Sequence, residues 1–181
     1  MSLASAEPYA AIGDRMLAVI LDRVVVLALL AIPAALLAQR WSTLPPVRAA
    51  ILGSSVVVLA VLIYHIVLEA VFRATLGKGL LGLQVRNGSD DRPWLASTIR
   101  NISRLLDAMF FYAIAFLAAA FTPRRQRLGD LFAGTTVIEH RVKWGARVAL
   151  IFIWLAVVVG SLWLASWLCP SCVPDRSRFA F

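Results

Sequence analysis

Residues 148–169 run for 22 positions without one charged side chain. Nothing else in the chain restricts its folding so severely. A helix of roughly 20 residues, rising about 1.5 Å at each, covers about 30 Å of hydrocarbon. In water such a helix would have to be enclosed on every side, and the chain has too little polar material to do it. Of its 181 residues 61% are hydrophobic and 15% charged, where soluble domains average about 45–50% and about 25%. Mean hydropathy is +0.82. This composition excludes an ordinary soluble enzyme and a disordered chain. It leaves an integral membrane protein with room for three to five hydrophobic segments.

Two further spans are readable. The first runs from about Met16 to Ala38; it is uncharged from Val24 onward, and its lower part holds Asp22 and Arg23. Glu7 and Asp14, and the length of the stretch before it, argue against a cleaved signal peptide. After a polar turn, Gln39 to Arg48 with Pro45-Pro46, a second span runs from about Ala49 to Val71. In the last span, Trp154, Trp163 and Trp167 include candidates for interface anchors near the far end.

The remaining apolar stretch is short. Between Asp107 and Pro123 lie 15 uncharged residues, about 23 Å of helix. Arg73 to Arg104 holds six Lys/Arg and Arg124 to Arg147 six more. The positive-inside rule places both flanks in the cytoplasm, which one full crossing between them cannot do. The residues therefore favour a re-entrant hairpin over a single tilted helix, Ile99 to Thr122, with Arg100 and Arg104 at its mouth. Leu81 to Arg86, followed by Asn87-Gly88, and Gly134 to Ile138 read as strands that could pair as a ribbon. The net charge of +8 fits basic cytoplasmic loops, and no nucleic-acid motif accompanies it.

Ionisable groups inside a span are costly and are candidate functional residues. Arg15 and Asp22 are seven apart, hence on one helical face, with Asp22 about 10 Å deeper. Unpaired, Asp22 would be expected to protonate; Arg104 and Arg100 are the first candidates for a basic partner. Arg100, Arg104 and Asp107 share a face. They read equally as a lipid-facing amphipathic stripe or as a buried network shared with Asp22. His65 and Glu69, four apart, form a polar anchor at the end of the second span or a proton relay. The loop Arg124-Arg125-Gln126-Arg127-Leu128-Gly129-Asp130 reads as a positive-inside signal, or as a seat for anionic lipid headgroups.

Other chemistries find little support. Thr75-Leu76-Gly77-Lys78-Gly79 lacks the first glycine and the Ser/Thr of a phosphate-binding loop. Cys169-Pro170-Ser171-Cys172 has redox spacing but closes a span, so a structural disulfide is the better reading if the tail is outside the cytoplasm. No catalytic residue, metal set or cofactor site is expected.

Arg15 and Asp22 belong to a longer pattern. It continues with Leu68-Glu69-Ala70-Val71-Phe72, then Thr75-Leu76-Gly77-Lys78-Gly79-Leu80-Leu81-Gly82-Leu83-Gln84-Val85. Further on come Arg100-Asn101, Arg104-Leu105-Leu106-Asp107, and Pro123 to Thr135. Over about residues 10–140 the chain resembles the RDD family of membrane proteins, named for an arginine at the start of the first helix, an aspartate within it and a second aspartate further on. Asp107 is taken as that second aspartate, with Asp130 as the alternative. Met109-Phe110-Phe111-Tyr112 stands where the family usually has a proline, which weighs against the hairpin. The resemblance implies transport, with some members linked to cation/proton exchange, or a partner-subunit role.

The expected fold is all-α: a polytopic helical membrane bundle of three to four spans, one readable as a re-entrant hairpin, with a short cytoplasmic β-ribbon. It divides into an N-terminal segment (1–14), an RDD-like membrane domain (15–140), an additional C-terminal transmembrane helix (141–169) and a short tail (170–181). In the leading functional reading Asp22 binds a cation or proton, gated by Arg15 and Arg104, and a small ion or solute is transported. The alternative is a non-catalytic scaffold or accessory subunit, which the small size favours. Expected partners are the lipid bilayer, anionic headgroups, and a second copy or another membrane protein, with no nucleic acid. The expected location is a bacterial-type inner or plasma membrane, crossed several times.

Overall fold

The computed structural model describes residues 9–41, 44–87, 92–109, 117–118 and 120–169, without the side chains of 39–41 and 105–109. Three long helices, α1 (Ile12–Trp41), α2 (Pro46–Phe72) and α6 (Trp144–Leu168), are long and apolar enough to cross a membrane. They match the three clean hydrophobic runs, each starting a few residues earlier than hydropathy alone indicates. The helical starts have local causes. Asp14 in the first turn of α1 complements the helix dipole. Pro46 opens α2, where its missing N–H costs nothing.

Between these helices lies a polar cap. It comprises the short helix α3 (Leu76–Leu80), strand β1 (Leu83–Asn87), helix α4 (Pro93–Met109), short helix α5 (Leu128–Phe132) and strand β2 (Thr135–Glu139). β1 and β2 pair antiparallel, from Leu83 opposite Glu139 to Asn87 opposite Thr135. This is the expected ribbon, shifted by one or two residues. Tyr9 bridges Ile138, and Ala10 N–H donates to Val137 O at 3.1 Å, so the chain's first described residues close onto β2. Ala10, Ala18, Leu83 and Val137 form the small apolar core beneath. Gly82 lies at φ +71°, and a Cβ there would stand 2.7 Å from His140 O; only glycine fits this corner.

The cap gathers at one end of the bundle. Val85 N–H reaches Arg73 O at the end of α2, and His140 N–H reaches Gly82 O shortly before α6. The two flanks of the short apolar stretch are thereby brought together: β1 pairs with β2, and α4 packs on α5. Residues 110–116, where the expected hairpin would turn, lie outside the described residues.

α1 packs chiefly along α6, while α2 is held mainly by α4. Trp154 in mid-α6 donates its indole N–H to Leu21 O at 3.2 Å, so it ties two helices together. The outer surfaces are apolar and open: Leu27, Ile51 and Phe152 are 65%, 59% and 67% exposed. Trp144 at one end of α6 and Trp163 and Trp167 at the other are also exposed, the distribution expected of interface aromatics.

α4 is built the reverse of a soluble amphipathic helix. Ser97, Arg100, Asn101 and Ser103 are buried, while Trp94, Leu95 and Ile102 are exposed. A helix with its polar face inward and its apolar face outward suits a lipid surrounding. The expected stripe of Arg100 and Arg104 is thus turned into the protein, away from headgroups on the outer face.

Candidate functional site

Among the described residues, three buried carboxylates lie at the junction of bundle and cap, and each is held differently. Asp22, 1% exposed in α1, accepts three hydrogen bonds from uncharged donors. Tyr64 OH of α2 lies 2.7 Å from Oδ1, Gly77 N–H of α3 2.8 Å from Oδ1, and Thr75 OH 2.6 Å from Oδ2. His65 Nε2 stands 4.0 Å from Oδ2. The local sequence explains how α3 gets this close. Thr75 caps α3, accepting from Lys78 N–H through the hydroxyl that also donates to Asp22. A Cβ on Gly77 would lie 2.4 Å from Ala18 O and 2.9 Å from the Asp22 carboxyl. Bare backbone at 77 and a small side chain at 18 let α3 wedge against α1.

Glu69, near the end of α2, has basic surroundings. Lys78 Nζ donates to Oε1, Arg104 Nη2 lies 3.3 Å from Oε1, and Asn101 Nδ2 3.1 Å from Oε2. Arg100 Nε is 3.6 Å from Oε2. Asn101 is aligned by Ser97, whose carbonyl accepts from the same amide at 2.8 Å. Burial pushes the Lys78 amine down to about 7, with Arg100 and Arg104 adding to the effect and Glu69 opposing it.

Asp130 anchors the cap to the first helix. Arg100 Nε lies 2.9 Å from Oδ1, and Arg15 Nη1 and Arg127 N–H each lie 3.2 Å from Oδ2. Arg15 Nη2 also donates to Val137 O at 3.2 Å. Burial alone would raise the Asp130 carboxyl, but Arg100 and Arg15 outweigh it and hold it below the usual carboxylate range. Arg100 sits between Glu69 and Asp130, and burial is outweighed there too: the two carboxylates raise its guanidinium further. A continuous chain of charge therefore runs Arg15, Asp130, Arg100, Glu69, Lys78 and Arg104.

Several expectations change. Asp22 is not partnered by Arg104 or Arg100; both turn to Glu69, and Arg100 to Asp130 as well. Arg15 shares a helix face with Asp22 but bonds to Asp130, 115 residues away. The gate of Arg15 and Arg104 over Asp22 therefore has no geometric basis. The reason is the α3 wedge, which reaches Asp22 first with neutral donors and leaves the guanidinium groups to the other two carboxylates. His65 and Glu69, four apart, diverge: His65 Nδ1 lies 2.8 Å from Val61 O, and Glu69 faces the cations. The Asp107 side chain lies outside the described residues. In the arginine loop, Arg124 and Arg125 are exposed, while Gln126 is buried and donates to Thr135 O at 2.8 Å. Cys169 is disulfide-bonded, and Cys172 lies outside the described residues.

Tyr64 was not singled out by sequence, and Thr75, Gly77, Lys78 and Asn101 entered only as parts of the family pattern or of the discounted phosphate loop, with no site role assigned to them. The one available signal was the glycine-flanked lysine of Leu76-Gly77-Lys78-Gly79, in which missing side chains mark close approach. Among the described residues no three of His, Cys, Asp and Glu gather as a metal site. Chemically the described part of the site is a set of donors directed at carboxylates.

Comparisons with known proteins agree with the observed pattern. The profile of the RDD family matches residues 9–134. A relative from Bacillus subtilis (strain 168), described as uncharacterized membrane protein YteJ, is 31% identical over 84 residues, covering 45% of this chain and 49% of that protein. The match thus spans about half the length of that relative. No solved structure matches the chain.

Proposed function

The chain belongs to the RDD family of membrane proteins, and on that premise we propose that it is a non-catalytic scaffold or accessory subunit whose buried charges hold helices in register. The observation that carries this reading is that donors of the chain itself engage each of the three buried carboxylates among the described residues. A cation site needs oxygens turned toward an empty position; here N–H and O–H groups point at them. The exposed apolar faces of α1, α2 and α6 are the surfaces on which lipid, a second copy or a partner membrane protein would pack. By the positive-inside rule the cap end lies in the cytoplasm of a bacterial-type plasma membrane, with the far end of α6 outside.

One observation favours a second reading, proton-coupled ion transport. With Nδ1 bonded to Val61 O, a neutral His65 leaves Nε2 bare beside Asp22. That is an open proton position next to a carboxylate. Proteoliposome flux separates the two readings. The scaffold reading expects no pH-driven flux of Na⁺ or K⁺ above protein-free vesicles, and a fixed partner recovered by cross-linking in the native membrane. Flux that disappears in a folded Asp22→Asn variant would replace it with the transport reading. Cysteine labelling between Arg124 and Lys143 tests the orientation.

A further inference from the structure

Two of the spans serve as rulers for the depth of the cap. On α2, exposed Arg48 marks the outer boundary. Glu69 follows 21 residues later, about 32 Å along a helix, close to the roughly 30 Å thickness of the hydrocarbon. α4 meets α2 at this level: Ser97 Oγ donates to Ile66 O at 3.0 Å, and Asn101 Nδ2 to Glu69 Oε2 at 3.1 Å. On α6, exposed Trp144 and Trp167 stand 23 residues apart, about 35 Å, which suits one aromatic belt at each interface. A Cβ on Gly79 of α3 would lie 3.3 Å from Leu150 Cδ1. Leu150 is six residues past Trp144, about 9 Å toward the bilayer centre. Both rulers give the same result. α3 and the meeting of α2 with α4 fall at the hydrocarbon edge or inside it, so the cap does not stand clear of the membrane.

The outward surface at that depth is apolar. Leu95 and Ile102 are seven apart, hence on one face of α4, and with Trp94 they are about half exposed. Ser97, Arg100 and Asn101 are buried on the other side of the same helix. Val71 near the end of α2 and Leu131 and Phe132 of α5 are exposed as well. α2 carries exposed apolar residues from Ile51 to Val71, so the face of α4 continues that of a span. Water would favour the opposite orientation of α4, with its apolar stripe inward. We propose that the outer face of α4, together with Leu131 and Phe132 of α5, lies against lipid acyl chains at the inner edge of the bilayer. The ion pairs of Glu69 and Asp130 are then covered by a shell whose outside is hydrocarbon, not water. This placement holds for a scaffold and for a transporter alike.

The test uses the full chain in phosphatidylcholine vesicles at low protein density. Leu95→Cys, Ile102→Cys and Leu131→Cys each receive a nitroxide label without reductant, so that Cys169 keeps its disulfide. Leu59→Cys, exposed on α2 about 16 Å from Arg48, is the mid-bilayer reference, and Arg124→Cys, exposed on the cap, the aqueous one. Collisions with oxygen, which enters hydrocarbon, are compared with collisions with a water-soluble nickel chelate. The apolar face of an interfacial helix sinks about 5–10 Å past the headgroup boundary, so the oxygen-to-nickel ratio at 95 and 102 should exceed that at 124 by about fivefold or more and stay below that at 59. A ratio at 95 and 102 equal to that at 124 would place the face in water and overturn the proposal. Exclusion of both reagents, or spin–spin broadening between copies, would put protein there instead and overturn it equally. All three labelled positions lie on the surface, and should one variant fail to fold, the other two decide among the same outcomes.

Discussion

Replacing Asp22 by Leu and by Asn should have very different consequences. Leucine keeps the branched outline and removes both acceptors, so Tyr64 OH, Thr75 OH and Gly77 N–H lose their partner together. Each buried donor left unsatisfied costs about 1–3 kcal/mol, for a sum of about 3–6 kcal/mol with some relaxation. For a chain of this size that lowers Tm by about 10 °C or more. Asparagine keeps one carbonyl oxygen for Tyr64 and Gly77, and its amide can donate to Thr75. It loses charge assistance but is cheaper to bury, so its net cost should be about 1–2 kcal/mol. Thermal unfolding of the purified chain in detergent gives the ranking. Hydrogen exchange over residues 75–79 shows whether α3 has detached, with acceleration expected in the Leu variant alone. Asparagine as damaging as leucine would refute the reasoning, because the fold would then depend on the charge itself and not on acceptor geometry. If neither substitution mattered, Asp22 would not be what holds α3.

Three further outcomes follow from the same junction. Gly77→Ala should destabilise by about 1–3 kcal/mol, since its methyl meets Ala18 O at 2.4 Å; trimming residue 18 cannot rescue it, because the clash is with backbone. Glu69→Gln leaves Lys78, Arg100 and Arg104 around a neutral amide and should cost about 3–5 kcal/mol in the same melts, partly recovered by adding Lys78→Met. The Asp130 carboxyl is held below its ordinary 3.8, so its contribution is present above that pH and lost as pH falls through the lower folded value. The Tm advantage of the natural chain over Asp130→Asn should therefore be constant near neutrality and shrink below pH 3.8; an advantage growing in acid would reverse the assignment.

The spans and the ribbon were legible in the sequence because each depends on local chemistry. Uncharged runs dictate α1, α2 and α6, and the β-branched stretch Thr135 to Ile138 dictates β2. Partner choice among the charges was not legible. Arg15 had one aspartate on its own helix face and bonds to another 115 residues away. Spacing along a helix reports which side chains share a face, not what the rest of the chain brings to that face. Asp22 was harder still, because one of its three donors is a backbone N–H, which every non-proline residue possesses. The direction of α4 was half legible: its two faces were plain, but whether polar or apolar residues point outward depends on the solvent.

The 115-residue gap between Arg15 and Asp130 also bears on how the protein is made. At roughly 5–20 residues per second on a ribosome, Asp130 emerges roughly ten seconds after Arg15. Tyr9 and Ala10 wait as long for Ile138 and Val137. During that interval the first helix can enter the bilayer while its arginine stays hydrated at the surface. Completion of the cap therefore comes only after α1 and α2 have been made, and a nascent chain stalled before Asp130 would hold those two helices without the clasp from Arg15 to the cap and without α6.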